Sequence, residues 1–126
     1  MLVRWYPDAP TGNPANDDGG SMGSWVVMAS LGINHAIPGV AGFVIGSPRF
    51  PSATVHLPGG VLTIRAPAAS DANVYVQSLN WNGAPYASTW LPWDMVKNGG
   101  ALDFAVGADA TTAWGTAEAD APPSFP

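Results

Sequence analysis

The sequence predicts an α+β fragment: one buried helix followed by a mostly antiparallel β region of about five strands. Three observations carry this reading. Met22, Trp25, Val26 and Ala29 recur at i, i+3, i+4 and i+7, while Val27, Met28 and Leu31 fill much of the opposite side, so the helix is apolar almost all round. After Pro38 the pattern changes to short β-type runs separated by turn signals. Only 10% of the residues are charged against 47% hydrophobic, too few to cover a whole surface, so part of the apolar face is expected to lie against polypeptide outside this chain.

The elements follow in order. "PDAPTGNPANDDGG", residues 7 to 20, is so dense in Pro, Gly, Asn and Asp that it reads as a loop. A cap from Asp18 or Ser21 starts the helix, and Gly32, Asn34 and Pro38 end it after about three turns. The strands are "GFVIGSP", "ATVHL", "VLTIRAP", "NVYVQSLNW" and "ALDFAVG". Hairpins are expected around Pro58, Gly59 and Gly60 and around Asn82-Gly83, where an Asn-Gly turn accepts positive φ. In the longest strand, strict alternation puts Val74, Val76 and Ser78 on one face and Tyr75, Gln77, Leu79 and Trp81 on the other. Neither face is purely polar, so a sheet covered on both sides is expected. From Thr111 the tail loses periodicity and is expected to wrap the surface with Trp114 as its anchor.

Composition excludes several functions. The net charge is −5, and the four basic residues, Arg4, Arg49, Arg65 and Lys97, are scattered, which is no footprint for nucleic acid. No segment approaches the ~20 apolar residues of a membrane span, and "MLVRWYPDAP" has no apolar signal-peptide core behind its arginine. Without cysteine there is neither a disulfide framework nor a thiolate metal site.

"GNPANDDGGSMGSW", Gly12 to Trp25, holds the candidate chemistry. Asp17 and Asp18 precede a helix, near the positive end of its dipole and its unpaired N–H groups, which favours ionised carboxylates. An ionised carboxylate is what a general base needs, and it is equally what a helix cap needs. The two cannot serve as the acid and base of one inverting glycosidase, whose carboxyl groups stand roughly 6.5–9.5 Å apart across the sugar, because adjacent side chains diverge. Gly19, Ser21 and Gly23 also spell G-x-S-x-G, but no strand precedes Ser21 and the later elements are hairpins, so a hydrolase nucleophile elbow does not fit. An EF-hand register would make Pro14 the first ligand and Trp25 the last, and it fails too. His35 and His56 lack a second ligand at metal spacing and are expected to pack or hydrogen-bond. Among the six tryptophans, Trp5 is the one nominated as a ligand contact.

The order of "YPDAPTGNPANDDGGSMGSWVVMASLGI", "PGVAGFVIGSPRFPSATVHLPGGVLTIRAP", "YVQSLNWNGAPYASTWLP" and "GGALDFAVG" resembles the C-terminal end of glycoside hydrolase family 92. That family comprises exo-acting α-mannosidases. The resemblance runs from about Tyr6 to the tail. It implies an N-terminal β-sandwich and an (α/α)6 barrel upstream, with residues 1–40 as a barrel remnant (acidic loop plus last helix) and residues 41–126 as the β-rich C-terminal region. It also implies calcium-assisted, inverting hydrolysis of terminal α-mannosides such as those of N-glycans, in a parent enzyme that is secreted or in the cell envelope. Carried onto this sequence, Asp18 matches the general base and Asp17 a supporting residue. Asn16 stands where other members carry a second candidate base and cannot act as one. Two departures are Ala15, where glycine is usual, and Gly23, where a small polar residue is usual. The general acid and most of the calcium and sugar site are expected upstream, which leaves an inactive chain. A non-catalytic β-rich carbohydrate-binding or structural module is the alternative.

Overall fold

The computed structural model of the chain describes residues 2–14, 16–110 and 113–124. Two helices open it, α1 (Leu2–Trp5) and α2 (Ser21–Ser30), and eight strands follow: β1 (Ile33–Asn34), β2 (Gly42–Ile45), β3 (Ser52–Leu57), β4 (Gly60–Arg65), β5 (Tyr75–Trp81), β6 (Ala84–Pro85), β7 (Trp90–Pro92) and β8 (Gly100–Gly107). A four-residue helix, α3 (Trp93–Val96), separates β7 from β8. The architecture is the expected one, a single main helix followed by mostly antiparallel strands. The five strands read from periodicity are β2, β3, β4, β5 and β8; the other three are only two or three residues long.

The strands form two sheets, β1-β2-β7 and β3-β4-β8-β5-β6. Both expected hairpins are present, β3 with β4 and β5 with β6. At the second, Asn82 (φ 48°) and Gly83 (φ 83°) both take the left-handed conformation that a two-residue hairpin turn demands. Asn82 is tied further, because its Oδ1 accepts the Ala101 N–H at 2.8 Å. β8 inserts between β4 and β5, antiparallel to β5 and parallel to β4. That central position fills the core with Leu102, Phe104 and Val106, packed beside Leu62 and Ile64 of β4 and Val76 and Leu79 of β5.

Strict alternation fails in β5. The register steps between Val76, opposite Val106, and Ser78, opposite Ala105, so Gln77 is an extra residue and the strand bulges there. Val76 and Leu79 consequently share the buried face, and Ser78 is exposed. Gln77 fixes the irregularity by donating to the Asp109 carbonyl at 2.8 Å. The expectation of a sheet covered on both sides is also corrected within this chain. The outer face presents Thr54, His56 and Arg65 to solvent, with Arg65 donating to Asp103 at 2.8 Å. His35 and His56 are exposed rather than packed: His35 follows β1 outside any strand, and His56 lies on the solvent side of β3, an edge strand of its sheet.

α2 ends as its sequence suggests. Gly32 (φ 76°) donates to the Ala29 carbonyl, and a Cβ there would lie 2.7 Å from the Pro48 nitrogen, so only glycine lets the chain turn under Pro48. Met28 and Leu31 pack on the chain's own β core, whereas Val27 remains 59% exposed. Of the three residues that fill the far side of the helix, two are thus partly covered from within. The tail is strapped down where expected. Trp114 Nε1 donates to the Tyr86 carbonyl at 2.8 Å, and Thr89 Oγ1 donates to the Asp120 carbonyl at 2.8 Å. Tyr86 itself donates to the Trp90 carbonyl at 2.6 Å, and burial pushes its hydroxyl pKa upward.

Candidate active site

The acidic loop is anchored from both sides. On entry, the Tyr6 ring lies 5.5 Å from that of Trp25, and its hydroxyl donates weakly to Met22 Sδ at 3.9 Å, which ties the loop to the face of α2. Turns close behind it, with Ala9 N–H donating to Pro7 O and Gly12 N–H to Ala9 O, each at 2.9 Å. A recess of about 330 Å³ opens between this loop and α2, lined by Tyr6, Asp8, Asn13, Gly23 and Val26 among others. Trp5, the nominated ligand contact, is 52% exposed under the Arg4 guanidinium and is not part of that lining.

The two aspartates take different tasks. Helix starts leave N–H groups without partners, and the residue at the cap position here is Gly20, which has no side chain to offer. Asp17 fills the need from three residues upstream, its Oδ1 accepting the Gly23 N–H at 3.1 Å and the Asn13 Nδ2 at 3.3 Å. Its backbone carbonyl accepts the N–H of Gly20 at 3.1 Å, the N–H of Met22 at 3.2 Å and the Ser21 hydroxyl at 3.3 Å. The cap expected from Asp18 or Ser21 is therefore supplied by Asp17. The cause is backbone geometry: Asp18, Gly19 and Gly20 all have positive φ (50°, 69° and 98°), which swings the chain back and brings Asp17 over the first turn. Aspartate is among the few side chains that tolerate that conformation.

Asp18 sits at the outside of this reversal. It is exposed, and its carboxylate accepts no hydrogen bond from any described residue. A carboxylate with both oxygens free is open to a water molecule; one occupied by a backbone N–H and an amide is less so. Removing the Asp17 carboxylate should therefore destabilise the chain by about 1 kcal/mol, the usual cost of a lost helix cap. Asp18→Ala should leave stability within about 0.5 kcal/mol. Parallel chemical denaturation of Asp17→Ala and Asp18→Ala checks this, and equal losses in both would contradict the division of tasks.

Of the partners of Asp17, Asn13 carried no signal in the sequence beyond its place in a turn-rich loop, and Gly23 stood out there for other reasons than the backbone N–H it donates. Ala15 lies outside the described residues. The nucleophile-elbow geometry is absent, since Ser21 begins α2 directly after a turn and not after a strand. No group of three His, Asp or Glu side chains comes together among the described residues. Calcium takes six to eight oxygen ligands, more than the described carboxylates gather at any one point.

Residues 1–108 match the model of the glycosyl hydrolase family 92 catalytic domain. The chain belongs to this family. A relative from Arthroderma benhamiae, named an uncharacterized secreted glycosidase, is 35% identical over 124 residues, covering 95% of this chain and 16% of its own length. A family 92 α-mannosidase from Bacteroides thetaiotaomicron superposes with a TM-score of 0.92 at 28% identity, over 98% of this chain and 17% of that one. A family 92 inverting mannosidase from the same organism gives a TM-score of 0.89 at 28% identity, again over 98% and 17%. The family 92 chain described here thus spans about one sixth of these relatives.

Proposed function

We propose that this chain is the C-terminal part of an inverting, calcium-assisted exo-α-mannosidase and that Asp18 is its general base. Residues 1–40 would bring the acidic loop and the last helix of the catalytic barrel, and residues 41–126 the β-rich region behind it. The observation that carries the assignment is the separation of tasks in the loop, with Asp17 engaged by Asn13 and Gly23 while Asp18 is free. Asp17 supports the site by holding the turn from which Asp18 projects. In the reaction, Asp18 accepts a proton from a water that attacks the anomeric carbon, on the face opposite the departing group. The general acid that protonates the leaving oxygen lies outside these 126 residues, as does most of the calcium site. Support for mannoside as substrate comes from the two mannosidases matched along almost the whole chain.

A secreted or cell-envelope location is the companion proposal. It is favoured by the name of the Arthroderma relative and is compatible with the lack of any helix, among the described residues, long and apolar enough to cross a membrane.

The test is stereochemical. Proton NMR of an α-mannoside digest by the whole enzyme should show β-mannose as the first product, and this chain alone should release none. Initial release of α-mannose, or turnover by the isolated chain, would overturn the reading.

A further inference from the structure

A second recess, of about 580 Å³, lies away from the acidic loop. It is bounded by the C-terminal half of α2, by β1 and β2 with the turn after them, and by the loop near residues 70–74. Because a helix rises 1.5 Å per residue, the α2 residues in its wall, Trp25 and Ala29, lie roughly 6 and 12 Å along the helix from its first residue, Ser21. Its floor is apolar, with Trp25 and Ile45 only half-covered.

Charge is what sets this recess apart. The chain has four basic residues and a net charge of −5. Arg65 is paired with Asp103 and Lys97 with Asp94. The other two, Arg4 and Arg49, are exposed, have no ion pair among the described residues, and both line the recess although they lie far apart in sequence. The lining contains a single acid, Asp71. An acidic chain has therefore gathered its uncompensated cations in one place. Beside Arg49, the Ser47 hydroxyl is buried without any hydrogen-bond partner, an arrangement that costs free energy unless something supplies one. Arg49 is also held in position, since its backbone N–H donates to the Ser30 carbonyl at 2.9 Å.

We infer that this recess receives a carboxylate-bearing segment of the enzyme's remaining polypeptide, with Arg4 and Arg49 pairing its acid, Ser47 bonding its backbone or side chain, and Trp25 and Ile45 covering its apolar neighbours. The occupant is polypeptide because the chain spans only 17% of the solved relatives, so most of the enzyme must pack somewhere against it. Guanidinium suits the role through its planar fork, which matches a carboxylate in two parallel hydrogen bonds. The inference rests on family membership and on this geometry, and it is independent of the role given to Asp18.

The experiment uses the whole enzyme carrying Arg49→Lys, treated with a water-soluble carbodiimide, which joins an amine to a carboxylate only when the two are in contact. Peptide mapping should find the new amine linked to an Asp or Glu outside these 126 residues. Linkage only to Asp71, a covalent dimer of two copies, or no linkage at all would each overturn the inference. Phenylglyoxal labelling of the unmodified enzyme provides a second readout that needs no variant. Arg49 should be modified at least about tenfold more slowly in the native enzyme than in urea, as expected for a side chain shielded by packing. Labelling within about twofold of the unfolded rate would show an open recess and sink the proposal.

Discussion

Asp18→Ala in the whole enzyme is expected to lower kcat by about 10² or more with little change in KM. The size follows from the chemistry. A positioned carboxylate that takes a proton from the attacking water acts in the transition state, while the ground-state complex gains little from it. The residue is also unusually well isolated for such a test. Its side chain has no hydrogen-bond partner among the described residues, so its removal should not disturb α2. The loop's hydrogen bonds to Asp17 remain in place. A loss shared equally between kcat and stability would indicate a structural role instead. Unchanged turnover would leave Asp18 as a turn residue only.

The largest effect on stability should come from Leu102→Ala, a loss of about 3–5 kcal/mol. Leu102 is fully buried in β8, opposite Ile64 on one side and Trp81 on the other. Truncation there removes transfer free energy and opens a cavity that two flanking strands, held by their ladders, cannot close. Since domains of this size are stable by only about 5–15 kcal/mol, such a loss approaches complete unfolding. Val61→Ala on neighbouring β4, at a side chain 45% exposed, provides the comparison and should cost less than about 0.5 kcal/mol. Denaturant titration of both variants checks the contrast. A loss below about 1 kcal/mol for Leu102→Ala would mean that the sheet does not pack around β8.

Periodicity made the main elements legible because burial itself imposes the period. The apolar positions from Met22 to Leu31 mark α2, and alternating runs mark β3, β4 and β8. It could not reveal what depends on distant residues. The pairing of β4 with β8 is parallel because a strand some forty residues later enters between two others, and no local signal encodes that. The bulge at Gln77 reversed the faces of half of β5, since one extra residue in a period of two moves every following side chain to the other side. The short strands β1, β6 and β7 have too few residues to show any period.

At the site, the sequence marked a turn-rich loop with two adjacent aspartates ahead of α2, and the structure shows how that loop is held. Adjacency to the helix suggested Asp18 as the cap, yet three successive left-handed residues carried Asp17 over the first turn and turned Asp18 outward. That exchange strengthens the chemical proposal, because capping no longer competes with catalysis for the same carboxylate.

The most direct test of Asp18 as the base is anion rescue. In the Asp18→Ala whole enzyme, azide can occupy the space left by the carboxylate and its water and attack the anomeric carbon without needing a base. The account expects azide to restore turnover in proportion to its concentration and to yield β-mannosyl azide, with no such product from the unmodified enzyme. Azide that leaves the variant as slow as before, or a rescued product of α configuration, would contradict it.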